Sequence, residues 1–222
     1  FEIKRGSTVG IIGGTGSGKS TLINLIPRFY DVTQGSVEVD GRNVKDYSFK
    51  QLRKQIGIVP QQSILFKGTI RDNMKWENPD LSDEDIITAL KNAQAYEFVS
   101  KLPMGLDSHV EQGGKNFSGG QRQRLCIARA IAAQPKVLIL DDSFSALDFK
   151  TDSTLRKALK EHTKEATTII VAQRISTILN ADKILVLDDG HMAGIGSHKE
   201  LMKSCEVYRQ IAMSQLSEEE LA

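Results

Sequence analysis

The run Gly13-Gly14-Thr15-Gly16-Ser17-Gly18-Lys19-Ser20 narrows the folds open to this chain more than any other segment. It follows a short apolar, β-branched stretch, Thr8 to Ile12, and leads into Lys19 to Ile26, whose apolar positions suit a helix. Strand, glycine-rich turn and helix start with Lys-Ser at the mouth make a phosphate loop, in which curled backbone N–H groups and the positive end of the helix converge on one anion. Lys19 adds a full charge on a flexible stem. The Ser20 hydroxyl is placed to ligate a Mg²⁺ ion that bridges the β- and γ-phosphates of ATP, and Thr21 to reach the α-phosphate. The second half of such a site is an apolar strand ending in a carboxylate. Val137 to Leu140 followed by Asp141 supplies it, with Asp141 holding the Mg²⁺ shell.

Around these segments the pattern alternates. Ser36 to Asp40 reads as a strand that meets Gly41 in an Asp-Gly hairpin turn, and Ile56 to Val59 as a strand halted by Pro60. From Thr69 to about Lys101 the period turns helical, with capping-box starts at Thr69 (Asp72 three on) and Ser82 (Asp85 three on). A loop from Glu111 to Phe117 precedes a long helix from Ser118 to Ala133. Strand and helix then alternate again: a strand at Val137 to Leu140, a helix at Thr151 to His162, strands at Thr167 to Val171 and Ile184 to Leu187. Asp189-Gly190 makes a second hairpin turn, and Ser197 with Glu200 caps a terminal helix. The expectation is an α/β P-loop NTPase core with a mainly parallel sheet, covering residues 1–68 and 118–222. An inserted α-helical subdomain over residues 69–117 and a partial N-terminal antiparallel β subdomain complete it.

Charge and composition limit the partners. Lys and Arg number 29 against 28 Asp and Glu, so no net field recruits nucleic acid or an anionic membrane. No apolar run approaches the roughly 20 residues that span a bilayer, so a membrane role needs other polypeptide. The chain opens at Phe1, directly into strand-like sequence, and further sequence is expected upstream. Cys126 and Cys205 have no metal-ligand spacing and read as small buried thiols in a reducing, cytosolic compartment. His109, His162, His191 and His198 do not cluster, and Arg122, Arg124 and Arg129 are expected to form intramolecular ion pairs.

The segment Phe117-Ser118-Gly119-Gly120-Gln121-Arg122-Gln123-Arg124 carries a resemblance to the ABC (ATP-binding cassette) ATPase family, whose signature reads Leu-Ser-Gly-Gly-Gln. Ser118 and Gln121 fit an N-cap and N3 pair, and Gly119 and Gly120 bare backbone N–H groups at a helix start, which makes a second anion site. The resemblance implies a head-to-tail dimer in which this signature closes over the γ-phosphate on the partner's phosphate loop. It also implies that Gln61 is the Q-loop glutamine in the Mg²⁺ and water shell, and that Ser145-Ala146-Leu147-Asp148 is the D-loop, with Asp148 reaching across the dimer. Glu111-Gln112-Gly113-Gly114 occupies the place of the exporter-type X-loop with its acidic residue out of the usual order. Trp76 is either a packing residue or part of the contact with a transmembrane coupling helix.

Two departures matter. Competent cassettes carry Glu after the strand-end Asp and His on a later strand end, whereas this chain has Asp142 and Gln173. Asp is one methylene shorter, so its carboxylate falls roughly 1 Å short of an in-line water, and Gln cannot carry the proton or charge available to His. The pairing resembles the degenerate-site half of bacterial heterodimeric multidrug exporters. It implies an ATP-binding and ATP-hydrolysing domain on the cytoplasmic face of the cell membrane, slow in its own site, with catalytic Asp142, Gln173 and Gln61. Its partners would be a second cassette and transmembrane domains, and no nucleic acid. The adenine-stacking aromatic is expected upstream of Phe1. The alternatives are a nucleotide-gated module with negligible turnover and a homodimeric exporter cassette.

Overall fold

The computed structural model describes residues 1–162 and 165–216, with the side chains of Phe149 and His162 left aside. The chain opens with β1 (Thr8–Gly13) and α1 (Lys19–Leu25), a hairpin of β2 (Glu38–Val39) and β3 (Arg42–Asn43), the short helix α2 (Phe49–Arg53) and β4 (Ile56–Val59). Next come β5 (Gly68–Thr69), α3 (Ile70–Met74), α4 (Asp83–Asn92), α5 (Tyr96–Ser100), β6 (His109–Val110) and α6 (Gly119–Ala132). The last third holds β7 (Val137–Asp141), α7 (Phe149–His162), β8 (Thr167–Val171), α8 (Ile175–Ile178), β9 (Lys183–Asp188), β10 (His191–Gly196), α9 (His198–Ser204) and α10 (Glu206–Gln215).

Six strands form one sheet in the order β10-β9-β1-β8-β7-β4, parallel throughout except for β10, which turns back on β9. Alternation along the strands explains its two covers. Leu138 and Leu140 of β7, Ile12 of β1 and Val186 of β9 face a core shared with α4, α6, α8 and α10. Their neighbours Ile139, Ile11 and Leu185 face the opposite core, with Ile23 of α1 and Leu52 of α2. Because β1, β4, β7 and β8 run the same way, the loops after them open on one edge, where ligands of open α/β sheets sit.

All four expected capping boxes form: Thr69 with Asp72, Ser82 with Asp85, Ser118 with Gln121 and Ser197 with Glu200. Each satisfies two orphan donors reciprocally, a contribution of about 1 kcal/mol. Two features depart from expectation. The stretch from Thr69 to Lys101 is helical, but a two-stranded antiparallel ribbon of β5 and β6 closes it, too short to leave a period-two signal. The apolar side chains of that stretch, Ile86 and Leu90 among them, join the cluster on the sheet. The helix capped by Ser197 is not the last, because the backbone extends at Cys205 (φ −122, ψ 109) and α10 follows, anchored by buried Tyr208 and Ala212.

Candidate functional site

The loop between β1 and α1 is shaped by close approach. A Cβ on Gly13 would lie 2.1 Å from the Leu187 carbonyl oxygen and 2.7 Å from Ser17 Oγ, so only glycine lets β1 run this near β9. Gly18, the N-cap of α1, takes a left-handed φ of 94 with no side-chain cap, which leaves the first N–H groups of the helix free to point outward. The turn between β9 and β10 braces the loop, Gly190 N donating to the Ser17 carbonyl at 3.3 Å. Lys19 Nζ sits at the mouth, donating to the Gly13 and Gly14 carbonyls at 2.8 Å each and reaching Ser17 Oγ at 3.5 Å. Burial lowers its pKa, against the attraction of Asp141 and Asp142. Gly14, Thr15, Gly16, Ser20 and Thr21 are exposed.

Four strand ends bring the remaining groups to the same edge. Ser20 Oγ donates to Asp141 Oδ2 at 3.4 Å. Asp142 holds a left-handed φ of 47, a conformation that Asp tolerates better than most residues, and its N–H donates to the Val171 carbonyl at 2.9 Å. Its Oδ2 accepts from Gln173 Nε2 at 2.8 Å and from Gln61 Nε2 at 3.4 Å. Burial raises the pKa of both carboxyls, Asp141 and Asp142. Beneath them the fully buried Ser143 donates from Oγ to the Val59 carbonyl at 3.0 Å and ties the end of β4 to the segment after β7.

This donor set fits Mg²⁺. Ser20 and Asp141 offer a hydroxyl and a carboxylate, and the ion takes few protein oxygens, completing its shell with phosphate and water. Among the described residues no group of three or more His, Cys, Asp or Glu is placed to hold a metal alone.

Ser118, Gly119, Gly120 and Gln121 form a second group at the start of α6. Gln121 N donates to Ser118 Oγ at 3.3 Å and Ser118 N to Gln121 Oε1 at 2.9 Å. A Cβ on Gly120 would meet the Ala146 carbonyl oxygen at 3.4 Å, so the start of α6 lies against the segment from Ser145 to Asp148. Asp148 accepts from Thr151 N at 2.9 Å and Thr151 Oγ1 at 2.7 Å and so caps α7. Among the described residues no hydrogen bond joins this group to the Gly13 to Thr21 loop.

The three arginines of α6 do not form the expected ion pairs among the described residues. Arg122 Nη1 donates to the Phe117 carbonyl at 2.6 Å, Arg124 Nη1 to that of Gln94 at 2.7 Å, and Arg129 Nη2 to that of Ile64 at 3.0 Å. Arg124 and Arg129 also stand over the rings of Phe98 and Phe66. Helix ends and loops packed against α6 present carbonyls that need donors, and guanidinium groups fill that need. Glu111 to Gly114 folds onto the exit of the Gln61 loop, Gly113 N donating to the Leu65 carbonyl at 3.0 Å. Trp76 is exposed and stacks on Phe66 with ring centroids 4.0 Å apart. Both cysteines are buried. His198 bonds Tyr208 Oη and His191 the Asp189 carbonyl.

Sequence reasoning missed three residues here: Ser143, Gly190 and Gln215, whose side chain bonds the backbone beside Gln173. Only the Asp189-Gly190 turn carried a local signal, and that signal named the turn without its neighbour.

A family model described as ABC transporter matches residues 1–145. Over 211 residues the chain is 47% identical to a candidate multidrug export ATP-binding/permease protein of Staphylococcus aureus strain NCTC 8325, and 46% identical to one from the bovine strain RF122. The match takes in 95% of this chain and 36% of each relative's length. A solved bacterial Atm1-family ABC exporter with ATP bound superposes with a TM-score of 0.93 at 38% identity, covering 98% of this chain and 38% of that one.

Proposed function

The chain belongs to the ABC transporter family, and from that premise we propose that it binds Mg²⁺-ATP at the Lys19 edge and hydrolyses it slowly to drive an exporter. One observation carries the reading: Lys19 and Ser20 at the start of α1 converge with Gln61, Asp141, Asp142 and Gln173 from the ends of β4, β7 and β8 on one sheet edge around an exposed glycine loop. The N–H groups of residues 13–20 and the Lys19 ammonium bind the β- and γ-phosphates. Ser20 and Asp141 would hold Mg²⁺, which when bound neutralises charge developing on the phosphate oxygens. Gln61 orients water at that end. Asp142 is the acceptor for the water proton, and burial raises its pKa, which suits a base, but its Oδ2 already takes two amide donors. A short, occupied carboxylate beside a glutamine that cannot ionise supports retention of ATP over rapid turnover.

Ser118 to Gln121 then serve a γ-phosphate held by a second cassette, in a head-to-tail pair whose partner carries the faster site. The helical stretch of residues 69–117 acts as the lobe that presents this signature. Membrane domains outside this chain handle the exported compound; the chain matches 36% of the length of relatives described as export ATP-binding/permease proteins, which supports this. The exposed Trp76, stacked on half-buried Phe66, offers those domains an aromatic foothold beside the Gln61 loop. This arrangement puts the chain on the cytoplasmic face. Steady-state ATP hydrolysis and transport by the assembled pair test the asymmetry. Loss of the partner's glutamate should stop transport while Asp142→Ala only slows it, and an equal stop from either change overturns the slow-site reading.

A further inference from the structure

We infer that Gln215, at the end of α10, is a positioning residue of this nucleotide site: its side-chain amide clamps the backbone on either side of Arg174 and so holds Gln173 against Asp142. Ile175 N donates to Gln215 Oε1 at 2.8 Å, and Gln215 Nε2 donates to the Gln173 carbonyl at 2.9 Å. The side-chain amide thus offers one acceptor and one donor, as a neighbouring peptide group would, to a segment that has left the sheet.

The segment needs such a partner. β8 ends at Val171, and Ala172 N still donates to the Ile11 carbonyl at 3.0 Å. Beyond it Gln173 and Arg174 are exposed, and Arg174, the N-cap of α8, gives no side-chain cap. An N–H at the start of α8 and a carbonyl at Gln173 would be left without protein partners there. Gln215 answers both at once, and it does so from a rigid base. Tyr208 and Ala212 on the same helix are fully buried, Leu216 is 9% exposed, and Tyr208 Oη bonds His198 Nδ1 at 2.8 Å.

The link to the chemistry is one residue long. The Gln173 backbone fixed by Gln215 carries the amide that bonds Asp142 Oδ2 at 2.8 Å, the shorter of the two contacts on that oxygen. Releasing the clamp frees Gln173 to swing from the carboxylate and from the end of the site where the γ-phosphate would lie. The inference rests on the reading of this edge as an ATP site, and it adds that α10, far along the chain, sets the site's geometry.

The test uses the full protein that carries this chain and measures affinity for Mg²⁺-ATP and Mg²⁺-ADP alongside the melting temperature. Gln215→Leu keeps the side-chain bulk and removes both hydrogen bonds. It should weaken ATP binding about tenfold, as expected for loss of paired hydrogen bonds near a charged group, while ADP binding changes less than about twofold. Hydrogen exchange at the Ile175 amide should quicken. Gln215→Glu keeps the acceptor for Ile175 N but sets a carboxylate oxygen against the Gln173 carbonyl, so its ATP affinity should fall at least as far as that of the Leu variant; it serves alone if the Leu variant does not fold. A purely structural role predicts a lower melting temperature with an unchanged ATP-to-ADP ratio, and that result overturns the inference. A wild type that binds no ATP instead overturns the underlying reading, and the inference with it.

Discussion

At the sheet edge, Ser20 and Asp141 bond across 121 positions of sequence and Gln61 reaches Asp142 across 81, whereas at the start of α6 the Ser118–Gln121 box closes within three. The first region exists only when the strands are assembled, and it gathers an ammonium and two carboxyls whose pKa values burial has moved. The second is a helix start that local residues encode by themselves. Non-local construction lets the edge tune charge through desolvation and crossed hydrogen bonds. Local construction leaves the start of α6 with backbone N–H groups that no carboxylate takes up among the described residues, while Arg124 Nε bonds the Gly120 carbonyl at 3.2 Å, an arrangement suited to an anion brought by another molecule.

Replacing the ammonium strikes hardest at this contrast. Lys19→Ala should weaken Mg²⁺-ATP binding about a hundredfold, since a charge-assisted bond to phosphate contributes up to about 3 kcal/mol. Equilibrium binding measures it, and undiminished affinity would remove the edge from consideration as a nucleotide site. A second substitution sharpens the comparison. Asp142→Glu restores the missing methylene and should raise turnover at this site at least about tenfold, given what a well-placed general base contributes. Single-turnover hydrolysis reads it, with nucleotide affinity changed little; a flat response would place the deficit at Gln173.

Much of the local half was legible. The capping boxes at Thr69, Ser82, Ser118 and Ser197 were read from side chains three positions apart, and the phosphate loop from its glycines, because each signal lies within one turn of chain. The sheet and the Asp141 strand followed from apolar runs. What could not be read was which distant groups meet. Ser143 looks like any loop serine until β4 lies beside β7, and Gln215 like any surface glutamine until α10 packs under α8. An ion pair is the sequence expectation for Arg124 because opposite charges attract in any sequence. In the fold it serves the carbonyl of Gln94, just beyond the end of α4, where helix geometry leaves acceptors unpaired.

Ser143→Ala probes the non-local half more gently than either charge. It removes the bond to the Val59 carbonyl, one residue before Pro60 and two before Gln61. Stability should fall by about 1 kcal/mol, and turnover by roughly threefold as Gln61 loosens against Asp142. Denaturant unfolding and single-turnover rates measure the two effects separately. A fall in stability with no change in rate would detach Ser143 from the chemistry.

The smallest effect on this chain's own site should come from Ser118→Ala. Ser118 Oγ accepts from Gln121 N at 3.3 Å, and losing that cap costs the helix about 1 kcal/mol, visible as a modest drop in melting temperature. Nothing in the cap touches the Lys19 edge, so ATP affinity of the isolated chain should stay within about twofold of wild type, a change of at most about 0.4 kcal/mol. Association with a second cassette in the presence of ATP should weaken by far more, because the same hydroxyl and the N–H groups it orders face outward. Affinity for ATP that falls together with association would mean that the two regions are coupled inside one molecule, and the division between a self-contained edge and an outward-facing signature would fail.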